Sequence, residues 1–228
     1  MLARMVRGSV LRGRPSGWHH VRNLAPCRAP LAPCGASGRT PGLPYRWRVT
    51  ETAAALVERL TALVPDFPKP GVLFRDVTPV FSDAVAFGRV CEALAAPFAV
   101  GAGFDAVAGI EARGFALAGG IAAQHQVGVL TVRKAGKLPG EVLSEQYALE
   151  YGEAELELRP GQLPAGTRVL VVDDVLATGG TGAATITLLE RAGYQAIGFA
   201  ALLELDGLNG RERLEPRLPV ATLGAVPA

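Results

Sequence analysis

Asp173 and Asp174 stand side by side at the end of an apolar run, in the string Val171-Val172-Asp173-Asp174-Val175-Leu176-Ala177-Thr178-Gly179-Gly180-Thr181. A hydrophobic strand here passes through two acids into a turn of small residues and then into a helix. Such a turn offers backbone N–H groups and hydroxyls at a helix N-terminus, where unpaired donors and the helix dipole favour a phosphate. Gly179 and Gly180 let the backbone approach a ligand closely and adopt positive φ. Two carboxylates work against a phosphate on its own. They fit a ligand whose phosphate is joined to something they can hold, such as sugar hydroxyls, with a divalent cation nearby. The plainer reading of the acid pair alone is a capped helix after a strand, with solvated acids; the string as a whole carries the ligand reading. No Gly-Lys-Ser/Thr follows the turn, which excludes a Walker A loop. Gly101-Ala102-Gly103 precedes a strand instead of following one, which excludes a dinucleotide fingerprint.

Other stretches also carry chemistry. Glu111-Ala112-Arg113-Gly114 follows an apolar run, and Arg133, Lys134 and Lys137 put three cations within five residues. Read plainly, Arg113 is a surface arginine and the cationic stretch a solvated loop. Read electrostatically, the stretch is an arm that closes over a polyanion and excludes water. Glu150 and Tyr151 end that arm, an ordinary pair when taken alone.

Positioning these residues takes alternating helix and strand. Ala53, Leu56, Val57, Leu60 and Leu63 recur at i, i+3, i+4 spacing, which predicts an amphipathic helix with Thr50 as its cap. A Pro-punctuated turn from Pro65 to Gly71 leads into a short strand at 72–74. A helix is predicted over 83–99, opened by Ser82 or Asp83. Strands at 105–110, 127–132, 168–172, 196–203 and 220–223 alternate with helices at 115–125 and 181–192. The stretch 134–152 is polar, contains Gly and keeps no period. Strands that are apolar throughout and alternate with helices imply a parallel sheet covered on both faces. Ligands of such sheets bind beyond the carboxyl ends of the strands, where these residues fall.

The 228 residues, 49% hydrophobic and 19% charged, suit one domain with an appendage or a single large α/β domain. No stretch approaches the roughly 20 apolar residues of a membrane span. Residues 1–50 hold nine Arg, no Lys and no acid; the remainder has 14 basic against 21 acidic residues, a formal charge of −7. An acidic body argues against nucleic acid as a partner, which requires a basic face. Residues 1–48 are rich in Arg, Gly and Pro without periodicity, and are expected to be a disordered extension of a domain at 49–228. A transit peptide is disfavoured by few Ser and many Pro, and a secretory signal by the missing apolar core. The favoured reading sets the biological start near Val49. Cys27 and Cys34, near His19 and His20, match no common zinc spacing, and Cys91 lies in an apolar, helical stretch. The body reads as a protein of a reducing compartment.

The string from Asp173 to Thr181 resembles that of type I phosphoribosyltransferases, which bind 5-phosphoribosyl 1-pyrophosphate (PRPP). Two further segments are similar to adenine phosphoribosyltransferases: Phe67-Pro68-Lys69-Pro70-Gly71-Val72-Leu73-Phe74-Arg75-Asp76, and Arg133-Lys134-Ala135-Gly136-Lys137-Leu138-Pro139-Gly140 with Tyr147-Ala148-Leu149-Glu150-Tyr151-Gly152. The likeness runs from about Val64 to Leu208 and has no counterpart in the first 48 residues. It implies a parallel sheet flanked by helices, with a small hood and a flexible catalytic loop. The implied reaction joins adenine to PRPP, giving AMP and pyrophosphate, with Mg²⁺ carried by PRPP and not bound directly by the protein. Asp173 and Asp174 would hold the ribose hydroxyls, and Ala177, Thr178, Gly179, Gly180 and Thr181 the 5-phosphate. Arg113, Arg133, Lys134 and Lys137 would face the pyrophosphate, with a cis peptide between Glu111 and Ala112. Glu150 would relay a purine proton, Tyr151 close the site, and Leu73, Phe74 and Arg75 receive adenine. A cytoplasmic homodimer is implied too. A phosphoribosyltransferase for a 6-oxopurine, or a PRPP-sensing regulator without catalysis, remain as the alternatives.

Overall fold

The computed structural model describes residues 51–101, 103–148 and 153–227, without the side chain of Ala148. The expectations for residues 1–48, for Cys27, Cys34, His19 and His20, and for Glu150 and Tyr151 lie outside the described residues.

Apolar strands build a sheet with a core on each face. The strands are β1 (Ala62–Pro65), β2 (Leu73–Asp76), β3 (Ala106–Ile110), β4 (Gly128–Lys134), β5 (Leu143–Ala148), β6 (Glu153–Leu158), β7 (Arg168–Leu176), β8 (Gln195–Asp206) and β9 (Val220–Pro227). The helices are α1 (Ala53–Leu60), α2 (Thr78–Ser82), α3 (Ala84–Ala95), α4 (Arg113–His125), α5 (Gly180–Arg191) and α6 (Gly210–Leu214). Seven strands pair in the order β5-β6-β4-β3-β7-β8-β9, and β1 pairs with β2 in a separate antiparallel ribbon. Side chains alternate between faces along each strand. Val107, Leu170, Val172, Ala200 and Leu202 join α3 and α4 residues such as Leu94, Leu117 and Ile121 in one core. Ala108, Ile110, Val169, Val171, Phe199 and Ala201 join α5 residues Ile186, Leu188 and Leu189 in the other. Each such Leu, Ile, Val or Phe contributes about 1.5–3 kcal/mol by leaving water.

The expected parallel sheet holds for β4-β3-β7-β8-β9, but β5 and β6 add antiparallel to its edge. The stretch at 134–152 therefore contains a strand the sequence pattern did not show. The pattern fails there because β5 is the edge strand and carries half-exposed, mostly polar residues, whereas its neighbour β6 does alternate, burying Leu156 and Leu158 in alternation with glutamates. α2, α6 and β1 are likewise too short to leave a period. The first helix also differs: Thr52, not Thr50, caps α1, its hydroxyl accepting from Ala55 N at 3.2 Å. Leu63 leaves the helix for β1, because Thr61 closes α1 by donating its hydroxyl to Val57 O at 2.6 Å. Asp83 caps α3, with its carboxylate accepting from Val85 N and Ala86 N.

The chain leaves β3 toward β4 on one side of the sheet and has β7 on the other. α4 follows β3 onto one face and α5 follows β7 onto the opposite face. The carboxyl ends of β3 and β7 thus open a crevice at a topological switch point.

Candidate functional site

At the end of β7, Asp173 is part-exposed and Asp174 is buried at 8% exposure. Asp174 N donates to Asp173 Oδ1 at 2.9 Å, which ties the Asp173 carboxylate to the main chain of the next residue. Burial, and then the like charge of Asp174, push the Asp173 carboxyl well above the usual carboxylate range, with Arg113 opposing. Arg113 Nη2 lies 2.7 Å from Asp174 Oδ2, an ion-pair distance at which the N–H is not aligned for a hydrogen bond. Arg113 reaches this place because the turn after β3 sits directly on β7: a Cβ on Gly114 would come within 2.7 Å of Val172 O. The peptide between Glu111 and Ala112 is cis, as the resemblance implied.

Beyond Asp173 the chain turns through Gly179, at φ +73°, into the first turn of α5. No side chain among the described residues caps that helix. Its N-terminus opens onto a cavity of about 330 Å³ whose lining includes Asp173, Ala177, Thr178, Gly179, Gly180, Thr181 and Phe199. Acid pair and cradle therefore share one space. α6 presses on the cradle from behind: a Cβ on Gly179 would meet Gly210 O at 2.7 Å.

The hood carries Leu73, Phe74 and Arg75. Leu73 is 51% exposed, and Phe74 packs edge-on against Phe67 with ring centroids 5.1 Å apart. The Arg113 guanidinium carbon lies 5.7 Å from the Phe74 ring centroid, which joins the hood to the acid pair. Arg75 Nη2 donates to Pro227 O at 3.2 Å. Among the described residues β2 pairs only with β1, so alternate main-chain groups of Leu73–Asp76 point away from its partner.

The cationic arm converges on a residue the sequence reading left without a role. Glu111 Oε2 accepts from Lys134 N at 3.1 Å and Arg133 Nε at 3.4 Å, and Oε1 accepts from Lys137 Nζ. These partners, Lys137 first, hold the Glu111 carboxyl below its ordinary value against the opposing effect of burial. Its partners lie 22–26 positions along the chain, beyond any local spacing; the one signal was a carboxylate directly after a buried strand. Phe199 and α6 were missed at the cradle for the same reason. Cys91 is buried against α4 and its thiol is pushed up to about 12 by burial, so it has no nucleophilic use at neutral pH.

A phosphoribosyl transferase domain model matches residues 86–220. The adenine phosphoribosyltransferase of Clavibacter sepedonicus is 59% identical over 177 residues, covering 77% of this chain and 91% of that one. The crystal structure of adenine phosphoribosyltransferase from Rhodothermus marinus is 45% identical with a TM-score of 0.71, covering 76% of this chain and 98% of its own. That of the Saccharomyces cerevisiae enzyme, complexed with an imino-altritol bisphosphate and adenine, is 36% identical with a TM-score of 0.69, covering 75% and 98%.

Proposed function

This chain belongs to the phosphoribosyl transferase family, among its adenine phosphoribosyltransferases, and from that membership we infer how its own residues share the reaction. The reaction transfers the phosphoribosyl group of PRPP to adenine, giving AMP and pyrophosphate, a step of purine salvage. Breaking the bond from C1 to pyrophosphate builds positive charge on the ribose and negative charge on the leaving group. Fixed dipoles and charges that face each pole lower the barrier.

Ala177, Thr178, Gly179, Gly180 and Thr181 hold the 5-phosphate. The observation that carries this reading is the uncapped N-terminus of α5 opening on the cavity that Asp173 lines. Asp173 and Asp174 take the ribose hydroxyls, and their charge favours an oxocarbenium-like ring. Arg113, Arg133, Lys134 and Lys137 receive the pyrophosphate and balance its growing charge. Phe74 packs on the purine while outward main-chain groups near Leu73 and Arg75 pair with the adenine edge, accepting from its N6 amino group. Glu150 relays the purine proton and Tyr151 closes the site over it.

Magnesium suits these donors. It takes one or two carboxylates from protein and fills its shell with phosphate oxygens and water. Asp173 and Asp174 offer hard oxygens beside the place a PRPP-borne ion would take, and Asp174 Oδ2 makes no hydrogen bond among the described residues. Carried by PRPP and not bound directly by the protein, the ion would lie near these two residues and would neutralise phosphate charge.

The catalytic domain spans 49–228, with residues 1–48 an extension outside it. The relatives support this, since 177 residues of this chain already cover 91% of one of them. A homodimer in the cytoplasm completes the reading; no described helix is long and apolar enough to cross a membrane.

The test is formation of labelled AMP from adenine and PRPP, with and without Mg²⁺, beside hypoxanthine and guanine. Magnesium-dependent AMP with the other bases inert is expected. Turnover of an oxopurine alone would overturn the base pocket, and PRPP binding without turnover of any base would favour the regulator.

A further inference from the structure

Glu111 directly follows β3 with a side chain only 9% exposed, yet it meets two cations that reach solvent, Arg133 at 34% and Lys137 at 46%. Its two oxygens are used differently. Oε2 is tied to the Lys134 main chain and to Arg133 Nε, while among the described residues Oε1 takes the Lys137 ammonium alone. Arg133 Nη1 also donates to Lys137 O at 3.2 Å, and Gly136 N to Glu157 Oε1 at 2.9 Å, so the backbone of the turn is held apart from the Lys137 side chain. The ammonium sits on a flexible four-carbon stem and can exchange partners without moving that backbone.

We propose that Glu111 is a positioning residue that stands in for pyrophosphate: it holds Lys137 at the pyrophosphate subsite and yields it when the diphosphate arrives. The proposal rests on the reading that Arg133 and Lys137 receive pyrophosphate. A carboxylate of charge −1 cannot hold an ammonium against a more highly charged diphosphate, but it sets a cost that the ligand must overcome. Its bonds to Lys134 N and Arg133 keep it in place throughout, so the ammonium returns as pyrophosphate leaves. Glu111 thereby limits how tightly product is held, and favours turnover over retention.

Glu111→Gln keeps the shape and an acceptor for Lys134 N while removing the competing charge. Inorganic pyrophosphate should then bind about three- to tenfold tighter by calorimetry, and kcat and KM for PRPP should fall together as product release slows. Glu111→Asp, which keeps the charge, should stay near the parent affinity. In a Lys137→Ala background the gain from Glu111→Gln should shrink below about twofold, since the two residues act as a pair. Unchanged or weaker pyrophosphate binding by Glu111→Gln would overturn the proposal, as would an equal gain without Lys137. If the parent protein bound neither pyrophosphate nor PRPP, the assignment of the arm itself would fall instead.

Discussion

Asp173 is held at a cost to the fold. Its carboxyl is raised by burial and by Asp174, and a folded-state value above the unfolded one means that ionising it destabilises the folded protein. The stability lost is greatest once pH exceeds the folded value. Asp173→Asn should therefore raise the melting temperature at neutral pH, and Asp173→Asn with Asp174→Asn should cut turnover by orders of magnitude with the circular dichroism spectrum intact. A double variant of near-parent activity would refute the ribose role. Arg113 pairs with Asp174, faces the Phe74 ring, and acts on Asp76 and Asp173 through space. Arg113→Lys keeps the charge but loses the flat guanidinium that stacks. A rise of roughly tenfold in KM for PRPP is expected in steady-state assays.

Among the elements, α6 is the support of the proposed phosphate cradle. A Cβ at Gly210 would lie 2.1 Å from Ala177 O, so Gly210→Ala forces the cradle and α6 apart. Overpacking of this kind costs about 1–3 kcal/mol, readable as a lower urea midpoint, and should raise KM for PRPP more than KM for adenine. Arg211 anchors the same helix, donating to Glu204 at 2.6 Å and to Thr222 Oγ1 at 2.9 Å. On the opposite side of the sheet ends, Asp105 pairs with Arg168 at 2.8 Å, joining the start of β7 to the residue before β3. This pairing brings the Asp105 carboxyl from 3.8 down to about 2, so its stabilisation is present above the ordinary value and disappears as pH falls toward the lowered one. Asp105→Asn should flatten the pH dependence of unfolding between those values, measured by urea midpoints.

For the whole molecule, charge is divided along the chain. Nine Arg and no acid occupy residues 1–50, and the remaining residues sum to −7. The proposed catalytic domain needs none of that positive charge, because its anion-binding cations come from Arg113 and from β4 and the turn after it. Removal of residues 1–48 should leave turnover and melting temperature unchanged; loss of folding would place the extension inside the domain.

What the sequence determined by itself was local. The apolar run into Asp173 and Asp174, the small turn at Gly179 and the helix after it are contiguous, so their types and spacing state the structure and carry the chemistry proposed for it. The alternating strands also announced a sheet covered on both faces, because burial on two sides demands apolar residues at every position. Tertiary structure decided what depended on distant partners. Glu111 and Lys137, and Gly210 and the cradle, are brought together by strand order, while Arg113 meets Phe74 of the separate β1–β2 ribbon; no local period encodes such meetings. The edge strand β5 was hidden for a related reason: a polar edge is specified by backbone pairing with its neighbour β6, and that leaves little trace in side-chain pattern.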